Sequence, residues 1–205
     1  MVDAIILAAG LSKRMGYDKM GLEILGRTVL SRTITEALRA DFDKIVVVTR
    51  HSADFNEHVK CSYAFAPTLI SVVNNNSQLG LSYSIKLGLA AVGSETDAVM
   101  FILADQVYLN FLVINSLVSA SLQHPGKIIA PAIKGRRTNP VIFPSSLFVE
   151  LKQITGDKGG REIIASNSEM LKTVEFGETY DDTDLDTMDD YFRIISRLQS
   201  QLSKT

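Results

Sequence analysis

The chain alternates short, uninterrupted apolar runs with longer segments whose apolar residues recur every three to four positions. Runs at residues 4–7 (AIIL), 44–49 (KIVVVT), 70–73 (ISVV) and 97–104 (DAVMFILA) have strand length and are rich in Val and Ile. Apolar on both sides of the pleat, they predict strands covered on both faces, as in parallel sheets. Further strands are expected at 127–130, 140–143 and 171–176. Helical spacing marks 29–40, where Val29, Leu30, Ile34, Ala37 and Leu38 recur, and 81–92, bracketed by Gly80 and Gly93. Helices are also expected at 110–122, 145–154, 159–167 and 187–202, with a short one at 51–59. This alternation predicts an α/β fold: a three-layer α/β/α single domain, 1–205, with a mixed, mostly parallel central sheet and 97–104 at its centre. Ligands in such sheets bind beyond the carboxyl ends of the strands.

Composition narrows the class. The 205 residues are 46% apolar, enough for a core, and carry a net charge of −2. No global basic bias points to nucleic acid or an anionic membrane, so local basic clusters must serve a local anion. A single cysteine, Cys61, excludes an internal disulfide and suits a reducing compartment, as a small buried residue. No run approaches the ~20 apolar residues of a membrane span. No leader pattern opens the chain, so a soluble, cytoplasmic protein is expected. His51, His58 and His124 lack metal-ligand spacing.

The candidate chemistry begins at the end of the first strand, in DAIILAAGLSKRMGYDK (residues 3–19). Ala8, Ala9 and Gly10 allow close backbone approach to an anion, and Ser12 offers a hydroxyl. Arg14 supplies a planar fork for phosphate oxygens and Lys19 a point charge for a leaving pyrophosphate. The alternative is an ordinary glycine-containing turn with surface cations. The loop lacks the G-K-S/T ending of a Walker motif and is not a dinucleotide fingerprint. Gly80, Ser82 and Ser84 open a helix whose N–H groups can hold a base or ribose edge, or form a plain serine cap. Asp105 follows the most apolar strand, either as a metal-binding carboxylate or as the cap of a turn. Asp181, Asp182, Asp184, Asp186, Asp189 and Asp190 form an acidic stretch, read otherwise as a solvated loop and helix start. GRRTNP (135–140) and GDKGGR (156–161) are basic turns. There Arg136, Arg137, Lys158 and Arg161 can receive an anion, while Asn139 and Asp157 can hydrogen-bond, or Asp157 can cap a helix.

These stretches resemble, in order through residue 191, the signatures of the MobA-like nucleotidyltransferases, above all LAAGLSKRMGYDK at 7–19. Within that family the chain is most similar to the molybdenum-cofactor cytidylyltransferases. The resemblance implies a nucleotide-diphospho-sugar-transferase-like fold with one antiparallel strand near the acceptor side. Residues 1–110 would form the nucleotide-binding part, and 111–205 the acceptor-binding part and C-terminal helix. It implies transfer of CMP from CTP to the terminal phosphate of molybdopterin, with release of pyrophosphate. Leu7, Ala8, Ala9, Gly10, Ser12, Arg14, Lys19, Gly80, Ser82 and Ser84 would hold the nucleotide, with Arg14, Lys19 and Asp105 catalytic. Mg2+ would sit on Asp105 and Asp186, with Asp184 the alternative second ligand. Arg137, Asn139, Asp157, Lys158 and Arg161 would bind the acceptor. A client molybdoenzyme would be a partner; nucleic acid and membrane would not. Ala9 stands where the guanylyl branch has glycine, which favours CTP. The sequence departs from the family at Val107, Thr138 and Met188, and in having no Trp before Gly80. Two alternatives stand: a guanylyl- or uridylyltransferase acting on another phosphorylated small molecule, and a non-catalytic nucleotide-binding maturation factor.

Overall fold

The computed structural model describes residues 1–12, 14–52 and 67–202. Cys61, His58 and the expected helix at 51–59 fall on or run into the stretch outside them, as does Lys13. The strands are β1 (Val2–Leu7), β2 (Glu23–Ile24), β3 (Arg27–Thr28), β4 (Lys44–Thr49), β5 (Thr68–Val73), β6 (Ala98–Leu103), β7 (Ile128–Ile133), β8 (Arg136–Arg137), β9 (Val141–Pro144) and β10 (Leu171–Glu175). The helices are α1 (Val29–Leu38), α2 (Leu81–Val92), α3 (Phe111–Gln123), α4 (Phe148–Leu151), α5 (Arg161–Ser166) and α6 (Met188–Leu202). The main sheet runs β10-β7-β9-β6-β1-β4-β5, so β6 is central, as its apolar run predicts. Strand β9 is antiparallel to both β6 and β7, and β10, β6, β1, β4 and β5 pair in parallel with their other neighbours. Among the described residues, no helix is long and apolar enough to cross a membrane.

The pleat divides β1 between two cores. Ala4, Ile6 and Ala8 pack with Leu30 and Ile34 of α1, Ile114 and Leu117 of α3, and Ile194 of α6. Ile5, Leu7 and Ala9 pack on the other side with Ile85 and Leu89 of α2, Leu151 of α4, and Ile163 and Ile164 of α5. Each fully buried isoleucine contributes about 1.5–3 kcal/mol relative to exposure, so a shift of one residue in β1 would invert both cores. Helix α2 approaches β1 closely because Gly88 faces Ile5: a Cβ there would lie 2.5 Å from Ile5 Cγ2.

The structure departs from the sequence reading in short elements. Strands β2 and β3 form a hairpin through Leu25-Gly26, with φ of 53° and 75°. Strands β7 and β8 turn through Lys134-Gly135, with φ of 52° and 76°. Both loops have the two positive φ angles of a tight hairpin turn, without the Asn-Gly signal that advertises one. The helix expected at 145–154 is a single 3-10 turn followed by the short α4, whose buried Leu151 is its anchor. Helix α5 starts later than expected because Gly159, at φ 58°, is left-handed, and Gly160 precedes the first helical residue.

Candidate active site

The loop after β1 lies where its neighbours end. The Leu7 carbonyl accepts from the Ala104 amide at 3.2 Å, and the Ala8 amide donates to Val48 at 2.9 Å. These bonds bring the ends of β1, β4 and β6 to one edge. Ser12, at φ 48°, turns the chain, and its carbonyl accepts from the amides of Met15 and Gly16, both at 3.1 Å. Its hydroxyl accepts from the Lys19 amide at 3.4 Å, which leaves the hydroxyl proton to donate. Among the described residues, the amides of Gly10 and Leu11 have no protein acceptor.

Two cations of this loop meet two carboxylates. Lys19 Nζ contacts Asp105 Oδ2, lies 3.8 Å from Asp186 Oδ1 and donates to the Leu185 carbonyl at 3.3 Å. Arg14 Nη1 bonds Asp186 Oδ2 at 2.6 Å from a largely exposed side chain. The segment carrying Asp184 and Asp186 is pinned to the β6 edge by the Leu185 amide, which donates to the Asp105 carbonyl at 3.0 Å, while the Leu185 side chain is fully buried. The structure thus sets Asp186, not Asp184, against Arg14 and Lys19. Burial, and then the charges of Asp105 and Asp186, push the Asp184 carboxyl up to about 6. Buried oxygens of Asp105 (Oδ1) and Asp184 (Oδ1) have no hydrogen-bond partner.

These groups sit between two adjoining clefts. The first, about 320 Å³, is lined by the 7–12 loop, Arg14, Lys19, Gly80, Ser84, Asp105 and Asp186. The second, about 610 Å³, is lined by Arg137, Asn139, Asp157, Lys158, Arg161 and Asp184 among others. Leu7, Leu81, Leu103 and Asp157 line both. Every predicted nucleotide and acceptor residue therefore faces one of the two clefts except Ser82, which is buried outside them.

Several residues have duties the sequence reading did not assign. The start of α2 does not offer its first amides: Leu81 N–H donates to Asp157 Oδ1 at 3.1 Å and Ser82 N–H to the Gly156 carbonyl at 3.0 Å. Asp157 caps α2, not the helix that follows it in sequence. Gly80 permits this, since a Cβ there would lie 2.6 Å from Asp157 Oδ1 and from the Gly156 carbonyl carbon. Ser84 Oγ accepts from Asn74 Nδ2 at 2.9 Å. Arg136 is neutralised by Asp182 at 2.9 Å, and Lys158 by Glu162 at 2.7 Å. The Asn139 carbonyl accepts from the buried Tyr180 hydroxyl at 2.8 Å, and burial pushes that phenol above its ordinary range. Arg137 and Arg161 are different: among the described residues no carboxylate pairs with either. Burial, and then the Arg161 charge, hold the Arg137 guanidinium below its ordinary range. Two guanidiniums that repel each other and have no carboxylate partner among the described residues have the chemistry to take up an anion.

Among the described residues, no three His, Cys, Asp or Glu side chains are grouped to hold a metal. Asp105 and Asp186 alone suit a hard cation that takes few carboxylates and completes its shell with phosphate oxygens and water. The partnerless Asp105 Oδ1 leaves an acceptor for such a cation.

An α/β/α sheet with a small-residue loop, two cations and two carboxylates at its carboxyl edge has the parts of a site for an anionic ligand at the place where such sheets bind theirs. The chain belongs to the MobA-like NTP transferase domain family, whose model matches residues 4–172. Purine catabolism protein PucB of Bacillus subtilis (strain 168) is 28% identical over 195 residues, 91% of this chain and 92% of that protein. Among solved structures, the homologue of Mycobacterium tuberculosis rv0371c from Mycobacterium sp. strain JC1 superposes with a TM-score of 0.80 at 25% identity, covering 98% of each chain. A manganese complex of Rv0371c from M. tuberculosis H37Rv superposes with a TM-score of 0.75 at 22% identity, covering 95% of this chain and 98% of that one.

Proposed function

We propose that the protein transfers CMP from CTP to the terminal phosphate of a molybdopterin-type acceptor in the cytoplasm, releasing pyrophosphate, with Mg2+ as cofactor. One observation carries this reading: the cationic loop cleft and the Arg137–Arg161 cleft share a wall, and Asp105, Asp184 and Asp186 stand between them. A donor triphosphate and an anionic acceptor bound there would meet over the carboxylates. An acceptor phosphate oxygen attacks the α-phosphorus of CTP, the bond to the bridging oxygen breaks, and that oxygen leaves with its electron pair on pyrophosphate. An ionised phosphate is already nucleophilic, so no protein base is required.

The chain's own residues position and neutralise. The Gly10 and Leu11 amides and Ser12 face the triphosphate. Arg14 and Lys19 balance charge that builds on the leaving pyrophosphate. Arg137 and Arg161 orient the acceptor phosphate. Asp105 and Asp186 would hold the divalent ion, which supplies charge neutralisation between two anions; the manganese complex of the structural neighbour supports a divalent ion. Ala9, 4% exposed on the wall of the smaller cleft, favours a pyrimidine over a larger purine.

The test is pyrophosphate release with Mg2+, molybdenum cofactor and each of CTP, GTP, ATP and UTP separately. Release with CTP alone is expected. Release with GTP alone would overturn the nucleotide assignment. No release, with CTP–Mg2+ still bound by calorimetry, would overturn the acceptor or the reaction itself.

A further inference from the structure

A third cavity, about 390 Å³, lies on the α1 and α6 side of the Asp105 turn and shares no lining residue with either cleft. Its wall carries the cations Arg27, Arg32 and Arg197 and the carboxylates Glu36, Glu178 and Asp181, with Gln106 among the other lining residues. Arg32 is half-buried and its Nε is buried with no partner; its Nη1 reaches only the Ile24 carbonyl, at 3.5 Å. Burial holds the Arg32 guanidinium below its ordinary range against the pull of Glu36, and the Arg27 charge adds a smaller push in the same direction as burial.

The three carboxylates of the wall each have a cationic partner other than Arg27 and Arg32. Glu36 accepts from Arg39 at 3.1 Å and from the Phe111 amide at 3.0 Å. Asp181 is bonded by Arg197 and by Thr183, whose amide donates at 2.9 Å. Glu178 pairs with Lys134 at 3.1 Å. Gln106 is 2% exposed, and its Oε1 is buried without a partner. An amide in this position can turn to present its NH2 instead.

We propose that this cavity is a binding site for a small oxyanion, a phosphate or carboxylate group, held by Arg27, Arg32 and the Gln106 amide. A desolvated guanidinium with an unused Nε–H is costly, and an oxyanion satisfies it through the paired donors that arginine offers. The turned Gln106 amide adds a donor to the same cavity. Such an anion would press on the turn that carries Asp105. The Val107 amide donates to the Asp105 carbonyl, and the Leu109 amide to the Gln106 carbonyl, each at 3.1 Å. The site stands on geometry separate from the proposed reaction, so either can fail alone.

The test is nuclear magnetic resonance of the full chain, titrated separately with inorganic phosphate and with citrate. It follows the arginine Nε–Hε signals and the Gln106 side-chain amide. Arg32→Lys assigns the Arg32 signal by its loss, and the Gln106 amide reports in the unsubstituted protein if that variant misfolds. The Arg32 and Gln106 signals are expected to shift saturably together, with affinity at least about tenfold weaker in Gln106→Leu. A response to phosphate alone assigns the phosphate group, and to citrate alone the carboxylate. Shifts confined to Arg14, Arg137 and Arg161, with Arg32 and Gln106 unmoved by both anions, would overturn the proposal.

Discussion

Lys19 holds the position between Asp105 and Asp186 that a divalent ion would need. Its Nζ contacts Asp105 and lies 3.8 Å from Asp186 Oδ1. Two unit charges at that separation interact by about 4 kcal/mol at an effective dielectric of about 20. The side chains of Lys19 and Asp105 are 13% and 18% exposed, whereas Asp186 is 38% exposed, so solvent reduces the figure to about 2–3 kcal/mol. An incoming dication must overcome that attraction and the repulsion of the ammonium. Lys19→Met removes the charge and keeps an apolar stem. Without nucleotide, it should bind Mn2+ about ten- to hundredfold more tightly than the parent protein, as read by electron paramagnetic resonance of the free ion. Pyrophosphate release should fall by about 10²–10³, the usual loss for one transition-state donor. Unchanged Mn2+ affinity in a folded variant would refute the view that lysine and metal compete for one place. Weaker Mn2+ binding would mean that the ammonium organises the carboxylates instead.

The proposed acceptor role of the larger cleft makes a separable prediction: Arg137→Ala should raise the acceptor KM about ten- to hundredfold while CTP affinity, measured by calorimetry, stays within about twofold. Asp157→Ala should cost about 1 kcal/mol in urea unfolding through loss of the α2 cap. Asp157→Asn should recover that loss, because its amide oxygen accepts the same Leu81 N–H. Asp3 is 1% exposed, and burial raises its carboxyl pKa against the Thr96 hydrogen bond. A raised folded-state pKa gives stability that is fully present below the ordinary 3.8 and lost as pH rises through the folded value. Thermal midpoints should therefore move in favour of Asp3→Asn, relative to the parent, as pH rises from about 4 to 7, and a gap independent of pH would count against this.

The strands are legible wherever burial on both faces leaves an unbroken apolar run. KIVVVT coincides with β4 end to end, and DAVMFILA announces the central β6. Pairs of two-residue strands carry no such run. Leu25-Gly26 and Lys134-Gly135 put a non-glycine residue at positive φ, a strain that the surrounding sheet contacts must hold in place and that local propensity does not reveal. The β7–β8 turn places Arg137 on the wall of the larger cleft, so part of the candidate site depends on an element hidden from pattern reading.

The site itself divides in the same way. Residues that follow strand ends, such as Ala9, Gly10 and Asp105, can be placed from sequence because an α/β sheet exposes its ligand edge there. Residues whose role depends on a distant partner cannot. Arg136 and Arg137 are neighbours of identical type, yet Asp182 neutralises the first and Arg161 opposes the second. Only the fold distinguishes a guanidinium neutralised by a carboxylate from one that faces another guanidinium. Asp157 joins both halves of the argument: it lines both clefts and holds the first amide of α2 across 76 residues of sequence. The cap takes up N–H groups that the nucleotide was expected to use, and Gly80 is the residue that lets the cap come that close. In the proposed reaction, nucleotide contacts then fall mainly to the 7–12 loop with Arg14 and Lys19. The segment from 156 to 161 gains a fixed seat against the start of α2. In the proposed reaction, Asp157 fixes the segment that carries Arg161 against the wall the two clefts share, and in-line transfer between two bound anions requires that kind of common reference.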